Sequence, residues 1–296
     1  MKKSTFLTAL CLLVSSCTPT IAPTDTLDNS ASLTPITVTV SGFSVEQSPF
    51  TSTRATPVSD CENIKFLTLA FYNKTDGTEV YKHTQQKGNL SSNETFGDFS
   101  TSLAIGNYTM VVIANEGSNA ISLTSPTSAT YGTNTVKDTF VATQEVNVTG
   151  GAAMTLTATL SRMVAAVAVQ STDKRPATIT QVRFTYSAGG KSFNPTTGLA
   201  TSNDGFGSLM QYKENANTTT YAGGYLFLAS DEQTMTVKIE TLDAEGTVVF
   251  SKEIADVPLK RNRTTKLTGA IYSDVNVSSG SFQINTSWLN NHDIDF

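Results

Sequence analysis

Side chains that hold protons, metals or covalent bonds are sparse in this chain. Its 2 histidines, His83 and His292, stand far apart, the first beside Lys82 and the second near the end. Zinc asks for three or four convergent ligands, so two scattered imidazoles without a cysteine pair build no metal site. The acid pairs Asp231-Glu232 and Asp293/Asp295 are residue types that cleave glycosidic bonds or hold calcium. One falls in a turn-like stretch and the other in a tail, without the oxygen-ligand spacing of a calcium loop, so both read as solvated acids. No GxSxG elbow, P-loop or GxGxxG follows a strand and opens a helix, and nothing singles out one serine for a Ser-His-acid set. No catalytic residue, metal or cofactor is expected, and the chain does not read as an enzyme. A net charge of −5 gives no electrostatic case for nucleic acid, which wants a basic patch.

The remaining reactive position is Cys17. Met1, Lys2 and Lys3 precede an apolar run from Phe6 to Val14, then Ser15, Ser16 and Cys17, which is the charged, apolar, small-residue order of a secretory signal. The run is too short to span a bilayer as a helix. Small residues directly before a cysteine, with Leu13 and Val14 upstream, resemble the lipobox of a bacterial lipoprotein precursor. Cleavage there would leave Cys17 as an acylated N-terminus on the outer membrane. Residues 1–16 are therefore read as signal peptide and 17–34 as a tether, because Thr, Ser, Pro, Asp and Asn cannot bury enough surface to offset their ordering entropy. With Cys11 in the signal and Cys17 lipidated, Cys61 stands alone; no intrachain disulfide forms, and a buried filler role is expected.

The body that such a tether would carry reads as strands. Charged residues are 15%, against an average of about 25% for soluble domains, and Thr is abundant, a balance that suits pleated surfaces. Ile36, Val38 and Val40 alternate, and Ile64 to Phe71 is apolar on both faces. Lys87 to Ser102 reads as a polar loop in which Phe96, Phe99 and Leu103 anchor a short helix or a pinned turn. A core strand follows at Gly106–Asn115, then a second polar loop to Asn134. Phe140–Val148 and Met154–Leu160 read as a hairpin about Gly150-Gly151, and Ser161–Gln170 as one strand leading onward. The second half repeats the theme, with a hairpin about Asp243–Gly246 and a last strand at Phe282–Trp288. Short strands at this spacing, without helical periodicity, predict an all-β protein of two sandwiches, each with its own core, over residues 35–162 and 163–296.

Three stretches carry a family resemblance. They are Val257-Pro258-Leu259-Lys260-Arg261-Asn262-Arg263-Thr264-Thr265-Lys266-Leu267-Thr268-Gly269, the strand from Gly106 through Tyr108 to Ala114-Asn115, and Leu160 to Val169 with Arg162 and Met163 inside it. Together with the lipobox they resemble the fimbrillin-like lipoproteins of Bacteroidales, including the fimbrial anchor and minor-subunit branch. The resemblance implies two tandem transthyretin-like Greek-key β-sandwiches and assembly with other fimbrial subunits into a type V pilus that serves cell adhesion. It also implies donor-strand exchange: an N-terminal strand fills a groove in its own sheet until an arginine-specific protease cuts behind it, and a neighbour's C-terminal strand takes its place.

Residues exist for each part. Ile36, Val38 and Val40 are the candidate removable strand, Arg54-Ala55 the candidate cleavage site, and Phe282, Ile284, Trp288, Ile294 and Phe296 the candidate donor. Each has a plainer reading: Arg54 as a loop charge, Phe282–Trp288 as the last strand of its own domain, and the final residues as a frayed end. Cutting at Arg54 would give a stalk or tip subunit and leaving it intact would give an anchor; the sequence does not choose. The rival from another class is a surface glycan-binding lipoprotein of a polysaccharide-utilisation system, whose sugar platform would need aromatic faces such as Trp288 or Tyr221.

Overall fold

Apolar residues at every second position form strands because successive side chains of an extended chain point to opposite faces. The computed structural model describes residues 33–43, 58–212, 221–273 and 283–288. Cys17, Arg54, Ala55, Phe282, Ile294 and Phe296 lie outside the described residues. The strands of the first half are β1 (Thr34–Phe43), β2 (Phe66–Asn73), β3 (Glu79–Gln86), β4 (Asp98–Leu103), β5 (Gly106–Asn115), β6 (Ser122–Ser125), β7 (Ser128–Thr130), β8 (Thr139–Val148) and β9 (Met154–Arg162). Those of the second are β10 (Ala165–Ser171), β11 (Gln181–Tyr186), β12 (Ser192–Phe193), β13 (Phe206–Gln211), β14 (Tyr221–Leu226), β15 (Glu232–Leu242), β16 (Val248–Lys260), β17 (Arg263–Gly269) and β18 (Gln283–Trp288). The protein is all-β, as its alternation predicts.

In the first half the strands run in the order β3-β2-β5-β8-β9-β1-β4. The ribbon folds at one corner, where β8 and β9 share only the pairs Phe140↔Arg162 and Val141↔Ser161. The two layers so formed, β3-β2-β5-β8 and β9-β1-β4, close over one core that includes Val38, Leu69, Phe99, Val112, Val148 and Leu160. In the second half β13-β11-β15-β16 faces β14-β10-β17-β18 across a core of Val167, Phe184, Leu226, Val237, Ile254 and Leu267.

The halves repeat one plan. Strands β1, β2, β3, β4, β5, β8 and β9 correspond in sheet position to β10, β11, β13, β14, β15, β16 and β17. Even the less common pairing recurs, since β1 lies parallel to β9 and antiparallel to β4, while β10 lies parallel to β17 and antiparallel to β14. Apart from the small β12-β7-β6 sheet, one described strand, β18, has no counterpart. The far side of β17 carries β18, whereas no described strand pairs with the far side of β9 over Met154–Thr159.

Several expectations need correction. The stretch before Leu103 is the strand β4, with Phe96, Phe99 and Leu103 buried in the first core, rather than a pinned loop or helix. Gly150-Gly151 does not close a hairpin: β8 and β9 diverge into opposite layers, because Val146 and Val148 must meet Leu156 and Ala158 across the core. Ser161–Gln170 is two strands, interrupted at Met163-Val164. Cys61 is half-buried at the margin of the first core instead of inside it. Finally, the described residues form three apolar clusters and not two. The outer faces of β2 and β5 (Ala70, Tyr72, Val111, Ile113) pack with Ala129, Val164, Ala166, Phe193 and Phe227, drawing on both halves. The small sheet β12-β7-β6 covers this third cluster and hydrogen-bonds the halves directly through Ser192↔Thr130 and Phe193↔Ala129. It explains why β2 is apolar on both faces.

Candidate functional site

Strand β1 sits as a wedge between β4 and β9. Its register sets Ile36 against Thr101 and Met154, Val38 against Phe99 and Leu156, and Val40 against Ala158. Ile36, Val38 and Val40 are 1%, 0% and 3% exposed, while Pro35, Thr37 and Thr39 face outward. Burying three such side chains contributes about 5 to 9 kcal/mol relative to leaving them in water. Both backbone edges of β1 are also engaged, so the strand does not leave unaided; any occupant that replaced it would have to reproduce its inward apolar row and its two ladders.

Side chains outside the groove brace one end of each wall. Gln85, buried on β3, donates through Nε2 to the Thr95 and Asp98 carbonyls at 3.1 and 2.8 Å, and its Oε1 accepts the Gly97 N–H at 2.9 Å. These three bonds fix the turn that opens β4. Beyond them the Glu94 carboxylate accepts the Ser91 N–H and lies 2.5 Å from His83 Nε2, and the Ser91 bond first, then His83, hold its pKa below the ordinary glutamate range. On the other wall Arg162, at the end of β9, donates to Asp138 in a two-pronged pair with contacts of 2.8, 3.1 and 2.8 Å. Both side chains are almost fully buried, at 7% and 4% exposure, and the guanidinium stacks 4.6 Å from the centre of the Phe140 ring. A planar fork of donors against a carboxylate is the geometry in which arginine pairs most strongly.

The same arginine reaches into the second half. Arg162 Nη1 donates to Asn262 Oδ1 at 3.3 Å, and the Asn262 N–H donates to the Val164 carbonyl at 2.9 Å. Asn262 takes a φ of 59°, a left-handed conformation that asparagine tolerates in tight turns. Next to it Arg261 pairs with Asp231 at 2.6 Å and donates to the Thr197 carbonyl at 2.9 Å. A Cβ at Gly198, whose φ is 72°, would lie 2.3 Å from Met163 Sδ and 2.6 Å from Arg261 Nη1, so a side chain there strains the backbone and displaces both neighbours. These groups border an open polar cleft of about 580 Å³. Nearby, burial and the Asp138 carboxylate push Glu116 up to about 7, against the pull of Arg162.

The structure places Ile36, Val38 and Val40 on β1, between β4 and β9, with their side chains in the first core. Ile284 and Trp288 lie in β18, opposite Leu267 and Arg263 of the same chain, and Ile284 is 40% exposed. Of the two acid pairs, Asp231 and Glu232 form ion pairs with Arg261 and Lys260 on the border of the polar cleft. Among the described residues no group of three or more His, Cys, Asp or Glu could hold a metal. Sequence reasoning missed Gln85, Asp138 and Glu116. Arg162 and Asn262 were in view only as parts of two separate motifs, which the fold shows to be two sides of one junction.

The sequence profile of a family described as "Family of unknown function (DUF6562)" matches residues 33–295. No curated protein matches the chain. Among solved structures, a candidate adhesin from Bacteroides ovatus superposes with a TM-score of 0.50 at 11% identity, covering 88% of this chain and 95% of its own. A candidate cell adhesion protein from the same species gives 0.50 at 14% identity, covering 88% and 99%. The fimbrial anchor protein Mfa2 of Porphyromonas gingivalis aligns at 0.46 and 14% identity over 85% and 95% of the two chains. At such identities the first two show a shared fold.

Proposed function

We propose, starting from the fact that this chain belongs to the DUF6562 family, that it is a structural or membrane-anchor subunit of a surface fimbrium, joined to its neighbours by exchange of β-strands and serving cell adhesion. The observation that carries this reading is the wedge: an N-terminal strand completes the first core between β4 and β9, and the turn that opens β4 and the end of β9 are also braced by side chains outside the strand, Gln85 and the Arg162–Asp138 pair. In this reading the braced ends keep β4 and β9 in place while one filler is exchanged for another. Strand addition satisfies the open ladders, and pockets for alternate side chains give specificity. The adhesion named for the two Bacteroides ovatus proteins and the sequence motifs favour the same reading.

In this scheme Cys17 carries the lipid and places the chain at the outer membrane, Arg54-Ala55 is the bond whose cleavage frees β1, and the C-terminal stretch through Ile284, Trp288, Ile294 and Phe296 is the donor. The test is the mature N-terminus on intact cells together with assembly of two variants. A polymerising subunit begins at Ala55, and Arg54→Ala abolishes both that terminus and incorporation into fibres; an anchor keeps acyl-Cys17. Truncation after Trp288 leaves a folded chain with impaired donation. Undiminished assembly by both variants would refute strand exchange.

A further inference from the structure

The repeat between the halves singles out one sheet edge. In the second half the far side of β17 is occupied by β18 through six register pairs, from Arg263↔Trp288 to Thr268↔Gln283. Its counterpart in the first half is the far side of β9, and over Met154–Thr159 no described strand covers it. Such edges ordinarily carry a charge, a proline or a bulge that discourages pairing with another chain, or a glycine that weakens the strand. Strand β3 has Glu79, Lys82 and His83; β4 has Asp98; β16 has Lys252, Glu253, Pro258 and a bulge at Asp256 with φ 56°. Strands β13 and β14 have Gly207, Gly223 and Gly224.

Strand β9 has none of these from Met154 to Ser161. It reads Met-Thr-Leu-Thr-Ala-Thr-Leu-Ser, with Leu156, Ala158 and Leu160 buried and Thr155, Thr157 and Thr159 exposed. This is a straight, uncharged, strand-prone edge, the kind that recruits a further strand. The one segment seen on the matching edge, Gln283–Trp288, is equally uncharged and free of proline and glycine.

We propose that the far edge of β9, over Met154–Thr159, is a docking site for the β18 segment of a second copy of this chain, which adds to the first half the strand that β18 adds to the second. This contact goes beyond the exchange proposed above, because it forms with β1 in place. It gives the N-terminal half a second contact with a neighbour and gives an uncut, anchored chain a way to hold one.

The test uses the full chain carrying Arg54→Ala, so that β1 stays attached, and a synthetic peptide of residues 280–291. Hydrogen exchange is read at single amides. Adding the peptide should slow every second amide of Met154–Thr159 roughly tenfold or more while β1 and β4 are unchanged. The same peptide with Asn285→Pro, which cannot complete a ladder, should do nothing. No slowing at millimolar peptide overturns the proposal. So does protection at β1 and β4, which would instead report exchange into the groove, and so does protection confined to β17, which would report swapping with the chain's own β18.

Discussion

If β1 completes the first core as a wedge, a small cut into its inward row must weaken the chain and an equal cut into its outward row must not. Val38→Ala removes two methyl groups from a side chain with 0% exposure that faces Phe99 and Leu156. At about 0.8 kcal/mol per buried carbon, plus the cavity left between β4 and β9, the loss comes to about 2 to 3 kcal/mol. Thr39→Ala trims the adjacent, exposed residue, and its effect should stay within about 0.5 kcal/mol. Urea denaturation of the full chain measures both. Hydrogen exchange supplies a local readout, since amides of Asp98–Leu103 that bond to β1 should lose protection in the Val38 variant and keep it in the Thr39 variant. Equal losses from the two variants, or less than about 0.5 kcal/mol from Val38→Ala, would refute the wedge.

Other consequences are as direct. Asp138→Ala strands a buried guanidinium and should cost about 3 to 5 kcal/mol, whereas Asp138→Leu combined with Arg162→Met should recover most of that in the same denaturation assay. Gln85→Leu leaves the Gly97 N–H and the carbonyls of Thr95 and Asp98 without their partner, and should lower the urea midpoint and speed exchange at the start of β4. The raised pKa of Glu116 means that the folded chain holds a proton the unfolded chain gives up, so stability should fall as pH rises from about 4.5 to about 7. Glu116→Gln should flatten that part of a pH-resolved urea titration and make the variant the more stable form at pH 8.

Much of the fold was legible from local alternation. Ile36, Val38 and Val40 announced β1, and the two-faced apolar run at β2 announced a strand covered on both sides. The β15–β16 hairpin was written in its turn, where Asp243 Oδ1 accepts the Thr247 N–H at 2.7 Å. Illegibility had physical causes as well. Strand β4 escaped notice because only Phe99 and Leu103 interrupt its Ser and Thr, and because its place is decided by partners in β1 and by Gln85. Strands β6, β7 and β12 are two to four residues long, too short to show a period. The β8–β9 turn was visible at Gly150-Gly151, but no local signal says that its arms belong to opposite layers. The third cluster and the Arg162–Asp138–Asn262 junction join residues far apart in sequence, which a one-dimensional reading sees only as unrelated motifs.

The shared cluster beneath the β12-β7-β6 sheet also has a mechanical meaning. Tandem modules strung on a bare linker swivel, and tension straightens the joint before it loads either module. Here a tug on the two ends meets no slack at the midpoint: apolar packing, a strand pair and the Arg162–Asn262 hydrogen bond all bridge it. Traction entering through β1 is then borne lengthwise by its bonds to β9 and β4, which must shear together instead of parting one by one.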